Sequence, residues 1–282
     1  MKILLIVFLF LMGLSGRVFY HIPRQQAGCC KKVMDLPGKD SIFMNEVNFC
    51  RDETGKYFYF SNINTPVCND TRCQIITLNV YWDLGGHYIR FDTLLGNPLT
   101  KFDHEPFTQR DYEKLQMTLS NENSILGEKA IDELLDTDRR RYSEKIDAVT
   151  GATSREIQSA VVEGALYSTY TLWQLVNNRI NSRMREYTFR VYDQDIEDQL
   201  LNAENPETIL FGLSHLEDTY FTEHFNKILE IMRSNRPLLN FYIAKRIPPS
   251  IYDDINNRNS LLELWKTLDR NTRSVLAPHL AP

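Results

Sequence analysis

Near residue 180 the chain changes texture, and this change constrains the fold more than any other feature. Before it, aromatic and β-branched runs alternate with turn residues. After it, residues 190–270 read as several helices with short links, punctuated by Pro237, Pro248 and Pro249. The expectation is an α+β front part and an all-α back part of about 100 residues. Asn177, Asn178, Asn181 and Ser182 mark the boundary. Hydrophobic residues make up 43% and charged residues 24%, so both parts can bury a core and wholesale disorder is excluded. Net charge is −5, spread over both parts with no basic half. That excludes general nucleic-acid binding, which needs clustered Lys and Arg to displace counterions.

In the front part, residues 16–64 are mixed and broken by Pro23, Pro37, Gly38 and Gly55. Residues 56–60 and 75–82 read as strands, residues 83–86 as a turn, and residues 87–91 as the returning strand of a hairpin. Thr108 is a good cap for a helix over residues 111–119, and a second short helix covers 128–135. Residues 139–141 are three arginines and read as a solvated charge run. One long helix is expected over 155–178, because Ile157, Val161, Gly164, Ala165, Ser168, Leu172 and Leu175 fall near helical spacing. In the back part, Asn205-Pro206-Glu207 is a helix start, residues 221–232 are amphipathic, and 260–268 form a further helix. Successive helical hairpins suggest a helical-repeat stack, though no regular period emerges.

The first residues set the compartment. Lys2 precedes an apolar run over residues 3–14, followed by Ser15, Gly16 and Arg17. This is the order of a secretory signal, with a small-x-small site at Gly13 and Ser15 that predicts cleavage after Ser15. The run is shorter than the ~20 residues that span a bilayer. The competing reading is a buried helix of the mature fold. Ala27-Gly28-Cys29 offers a weak lipid-anchor site, with Gln26 where an aliphatic residue is usual. All five cysteines (Cys29, Cys30, Cys50, Cys68 and Cys73) lie in roughly the first quarter, and export permits disulfides. Cys68 and Cys73 flank a four-residue loop that a disulfide could close, as a structural staple or as a redox-active pair. Zinc spacing is lacking.

The stretch that carries chemistry is Asp147-Ala148-Val149-Thr150-Gly151-Ala152-Thr153-Ser154, directly ahead of the expected long helix. It resembles the flavinylation signature Asp-x-x-Ser/Thr-Gly-Ala-Thr of FMN-binding domains. Such domains occur in the flavin subunits of sodium-pumping quinone reductases and Rnf-type complexes, and in exported flavoproteins. The resemblance implies that Thr153 carries FMN through a phosphoester, that a flavin transferase makes the bond from FAD with Mg²⁺, and that Asp147 serves attachment. Thr150, Gly151, Ala152 and Ser154 would shape the loop. The residue types suit this: a Thr hydroxyl needs outside activation, and Gly151 and Ala152 leave room for the phosphate. Thr153-Ser154-Arg155-Glu156 is also a capping box, by which Thr153 merely caps a helix. Chance alone would produce the full signature on the order of once in a thousand chains of this length.

A second block, Val80 to Tyr88 with residues 98–107 and 111–115, is similar to the front half of exported FMN-binding proteins. It adds Thr100 and Lys101 as candidate contacts to flavin phosphate or ring; a strand-end turn with a solvated Lys is the alternative. His104, Tyr81 and Trp82 read first as structural. The resemblance covers roughly residues 65–178. It does not extend to residues 183–282 and gives no account of Cys29, Cys30 and Cys50. Together with the patterns above it gives four expected parts: a signal peptide at 1–15, a Cys-bearing segment at 16–59, an α+β FMN-binding domain at 60–180 (an antiparallel sheet with packed helices), and a helical domain at 183–282. The implied function is electron transfer outside the cytoplasm, periplasmic or membrane-associated, between membrane or extracytoplasmic redox partner proteins. The resemblance implies an electron-transfer flavoprotein rather than a self-contained enzyme. The alternatives are a flavin-linked reductase of a small acceptor or of the Cys68–Cys73 disulfide, and a non-redox helical binding module.

Overall fold

The structure is a computed structural model, and it describes residues 27–36, 45–68, 73–101, 104–134, 155–178 and 180–280. Its front part is one antiparallel sheet in plain meander order, β1 (Ala27–Leu36), β2 (Asn45–Asp52), β3 (Tyr57–Cys68), β4 (Cys73–Trp82) and β5 (Tyr88–Thr93). β3 and β4 form the longest ladder, running in register from Tyr59↔Trp82 to Cys68↔Cys73. The hairpin read between residues 75 and 91 is present as β4 and β5. The sheet also extends further towards the N-terminus than the aromatic runs suggest, because β1 and β2 pair onto β3. β1 and β2 therefore belong to the same sheet as β3, β4 and β5.

Alternation sorts the side chains by face. Val47, Tyr59, Ile63, Ile76, Leu78, Val80 and Trp82 are buried on one face. Against them pack α1 (Gln109–Ser120), through Leu115 and Leu119, and α4 (Leu166–Asn177), through Leu166, Leu172, Trp173 and Val176. Between these helices lie a 3-10 turn (Ile125–Gly127), the short α2 (Ile131–Leu134) and α3 (Arg155–Ala160). The indole N–H of Trp82 donates to the Val176 carbonyl at 3.0 Å, and that of Trp173 to the Asn121 carbonyl at 2.9 Å, so both buried rings have their polar edge satisfied. On the other face a smaller cluster of Cys50, Phe58 and Tyr81 is buried, with Phe60 against it.

The expected single helix over 155–178 is corrected: it is broken into α3 and α4. Gly164 stands at φ +76°, a left-handed conformation that ends a helical run, and Ala165 opens α4 without a side-chain cap. Helical spacing survives across the break because both halves face the same core. α1 begins where expected. Thr108 and Asp111 form a reciprocal capping box, each side chain taking the other's backbone N–H.

The back part is all helical: α5 (Ile180–Arg190), α6 (Gln194–Leu201), α7 (Pro206–His215), α8 (Asp218–Glu223), α9 (Phe225–Arg233), α10 (Pro237–Arg246), α11 (Pro249–Asp253), α12 (Ile255–Leu264) and α13 (Arg270–Leu280). Asn205 caps α7 by accepting from the Glu207 N–H, with Pro206 at the first position, as the sequence pattern requires. The amphipathic run over 221–232 divides at His224 into α8 and α9. The helix expected over 260–268 ends earlier, at Leu264. The core boundary lies beyond the change in texture: Ile180, Met184, Ile196 and Leu200 belong to the sheet's core, and a second core starts at Leu201. Among the described residues, no helix is long and apolar enough to cross a membrane.

Candidate functional site

The flavinylation-like stretch, with Asp147, Thr150, Gly151, Ala152, Thr153 and Ser154, lies outside the described residues, as do Arg139, Arg140 and Arg141. The chain is described again from Arg155, the first residue of α3. α3 forms one wall of a cavity of about 240 Å³. Glu156 and Ser159 line it from α3, Lys114 and Met117 from α1, and Asn121, Asn123 and Ser124 from the turn that follows α1. The Lys114 ammonium donates to the Ser159 carbonyl and so ties α1 to α3 across this space. Three side chains of α4 brace the same turn. Trp173, Gln174 and Asn177 donate to the carbonyls of Asn121, Leu126 and Leu119 at 2.9, 2.7 and 3.0 Å. The cavity thus has one cation (Lys114), one carboxylate (Glu156), several neutral hydrogen-bonding groups and an apolar edge from Met117 and Ile125.

Thr100 and Lys101 lie near the link between α3 and α4. The Thr100 hydroxyl accepts from the Gln74 amide at 2.5 Å. Lys101 Nζ sits 3.2 Å from an Asp111 carboxylate oxygen, and its alkyl stem runs past Gly164, 3.2 Å from where a Cβ would stand. Asp111 is held below the usual carboxylate range: its partial burial works upward, and the Thr108 and Lys101 contacts outweigh that. Each of the two residues therefore has a structural partner. His104 takes a left-handed backbone conformation, φ 67°, in the turn that follows.

Tyr81 is buried on the sheet's outer face with Arg90 stacked 3.9 Å above its ring, while Trp82 lies in the inner core. The Cys68–Cys73 bridge is formed, closing the end of the β3–β4 hairpin. A second bridge, Cys30–Cys50, joins β1 to β2. The Cys30–Cys50 pairing becomes legible only once the two strands are seen in register. Cys29 is a free, exposed thiol. Two disulfides in one sheet are compatible with folding in an oxidising compartment.

The structure also assembles a cluster that sequence spacing does not reveal. His87 is buried in the β4–β5 turn. Its Nδ1 lies 2.6 Å from Glu122 Oε1, and its Nε2 lies 2.9 Å from Arg185 Nη2 and 3.8 Å from Glu207 Oε2. A guanidinium can only donate, so Nε2 accepts and Nδ1–H donates to Glu122. Asp83 completes the cluster, accepting from the His87 N–H at 2.8 Å and from the Thr208 hydroxyl at 2.5 Å. Burial pushes the Asp83 carboxyl up. His87, Glu122 and Glu207 bring three donor atoms within 4.8 Å of one another, a spacing open to a cation. Arg185 already supplies the positive charge there, so the cluster as found is an ion-pair and hydrogen-bond knot. It joins the β4–β5 turn to α1's exit, α5 and α7.

Comparison with protein-family models, with curated proteins and with solved structures finds no match for this chain.

Proposed function

We propose that this chain is an exported flavoprotein that carries FMN covalently on Thr153 and passes electrons between redox partner proteins outside the cytoplasm. The observation that carries the reading is the stretch Asp147-x-x-Thr150-Gly151-Ala152-Thr153, which ends two residues before α3, a wall of the cavity described above. The residues present fit the group. At about 240 Å³ the cavity falls below the roughly 300–1,000 Å³ that encloses a drug-sized ligand. It therefore suits part of a nucleotide-sized group tethered beside it. Asn121, Asn123 and Ser124 offer neutral hydrogen-bond partners to a polar heteroaromatic ring, and Lys114 offers a positive charge. Bound FMN would supply one- and two-electron chemistry; the protein sets its orientation, access and electrostatics. A covalent tether suits a site where no cytoplasmic pool replaces lost cofactor. The disulfides are compatible with export, and the leader-like first residues support it.

The test is co-expression, in exported form, with a flavin transferase and Mg²⁺. The expected outcome is one added FMN by intact mass, with flavin absorbance that survives denaturation. Both vanish in Thr153→Val. No added mass, with the transferase shown active on a control substrate, overturns the reading and favours a helical binding module.

A further inference from the structure

The two disulfides of the sheet differ in the exposure of their sulfurs and in the length of chain they close. Cys68 and Cys73 are both solvent-exposed, at the end of the β3–β4 hairpin where the two strands connect. Either sulfur can be attacked there, and either thiolate can leave into water. Cys30 is exposed as well, but its partner Cys50 is fully buried beside Phe58 and Tyr81. Attack on Cys30 would expel a Cys50 thiolate into apolar surroundings, which raise a thiol's pKa and make it a slow leaving group.

The bridges also differ in what they contribute to folding. Stabilisation by a disulfide grows with the length of chain it closes. Cys68–Cys73 spans a sequence separation of 5, against 20 for Cys30–Cys50. The hairpin that Cys68–Cys73 closes is already held by an unbroken ladder down to Tyr59↔Trp82. A staple is least needed there. Cys30–Cys50 instead fastens an edge strand whose ladder is interrupted by two register shifts.

We propose that Cys68–Cys73 is a redox site in its own right, a reversible dithiol/disulfide pair that exchanges with external dithiols, whereas Cys30–Cys50 is a structural bridge. In the exchange, one thiolate of the external dithiol attacks one sulfur of the pair. A mixed disulfide forms and the other cysteine leaves as a thiolate. The second thiolate of the reagent then attacks its own sulfur in the mixed disulfide and frees the second cysteine. The reagent ends as a disulfide, two electrons have passed to Cys68 and Cys73, and both thiolates take protons from water according to pH. The proposal does not depend on the flavin reading: Thr153→Val should leave the exchange unchanged.

The experiment treats the oxidised full chain with dithiothreitol and traps thiols by alkylation for peptide mass spectrometry, with far-ultraviolet circular dichroism in parallel. Cys68–Cys73 should open at least 10-fold faster than Cys30–Cys50. The dichroism should stay unchanged, and oxidised glutathione should close the bridge again. Equal rates, or earlier opening of Cys30–Cys50, overturn the proposal. So does loss of secondary structure as Cys68–Cys73 opens. The double variant Cys68→Ser, Cys73→Ser separates the roles: it should fold with Cys30–Cys50 intact, and failure to fold would make the bridge a staple.

Discussion

Gly164 shows how one residue redirects a helical pattern. Its φ of +76° is a conformation that L side chains rarely take, and Lys101 packs where a side chain would begin. A left-handed L-residue costs about 1–2 kcal/mol. Gly164→Ala should lower unfolding free energy by that amount in a urea titration, without disturbing α1. Apolar spacing alone could not reveal the break, because α3 and α4 both turn their apolar residues to the same core. Thr108 is the contrasting case. Its cap was legible from sequence, since the oxygen acts on a backbone N–H three residues away. Thr108→Ala should cost about 1 kcal/mol.

At the scale of elements, the β4–β5 turn is the joint between sheet and helices. Thr208 of α7 satisfies one oxygen of half-buried Asp83. Thr208→Val would leave that acceptor without a donor, at a cost of about 1–3 kcal/mol measured by chemical unfolding. His87 adds a pH dependence. Burial and the neighbouring Arg185 charge pull its imidazole down, but the Glu122 hydrogen bond and the charges of Asp83 and Glu122 outweigh them, so the folded pKa lies above the ordinary 6.5. A raised folded pKa contributes stability that is complete below the unfolded value and is lost as pH rises through the folded one. The stability gap between the native chain and His87→Gln should therefore be widest below pH ~6.5 and shrink at higher pH. A gap that widens with rising pH would contradict the assignment.

The same scale shows what sequence could and could not carry. β3, β4 and β5 were legible because aromatic and β-branched residues crowd them. β1 was not: it is an edge strand carrying Lys31 and Lys32, charges that guard an open edge and blur the strand pattern. β2 is largely polar, with Asn45, Glu46, Asn48, Arg51 and Asp52 around Val47 and Phe49. The His87 knot was invisible because its members, at 83, 87, 122, 185, 207 and 208, meet only after four elements pack. The flavinylation-like stretch is legible as a run of eight residues; the cavity next to α3 needed the fold.

Among the described residues the two large cores follow in series, meeting at Leu200 and Leu201 in α6. Gly212 of α7 is pressed against that junction, where an added Cβ would stand 2.9 Å from Leu200 Cβ. Overpacking of this kind costs about 1–3 kcal/mol. The tryptophans divide usefully: Trp82 and Trp173 lie in the first core, and Trp265 packs on the second. In Gly212→Ala the transition reported by Trp265 should separate from that of the other two and fall at lower urea, read with single-tryptophan variants.

The placement of Cys30–Cys50 has a mechanical consequence. β1 begins at Ala27 opposite Asp52, and the bridge follows three residues later. A load drawn through the residues ahead of Ala27 would peel β1 from its first pair, like a zipper opened from one end. The zipper has a metal stop almost at its mouth. Tension reaching Cys30 passes through sulfur to Cys50 in β2, in the interior of the sheet, and the pairs from Lys31↔Phe49 to Leu36↔Asn45 lie inside the loop the bridge closes and carry none of the load.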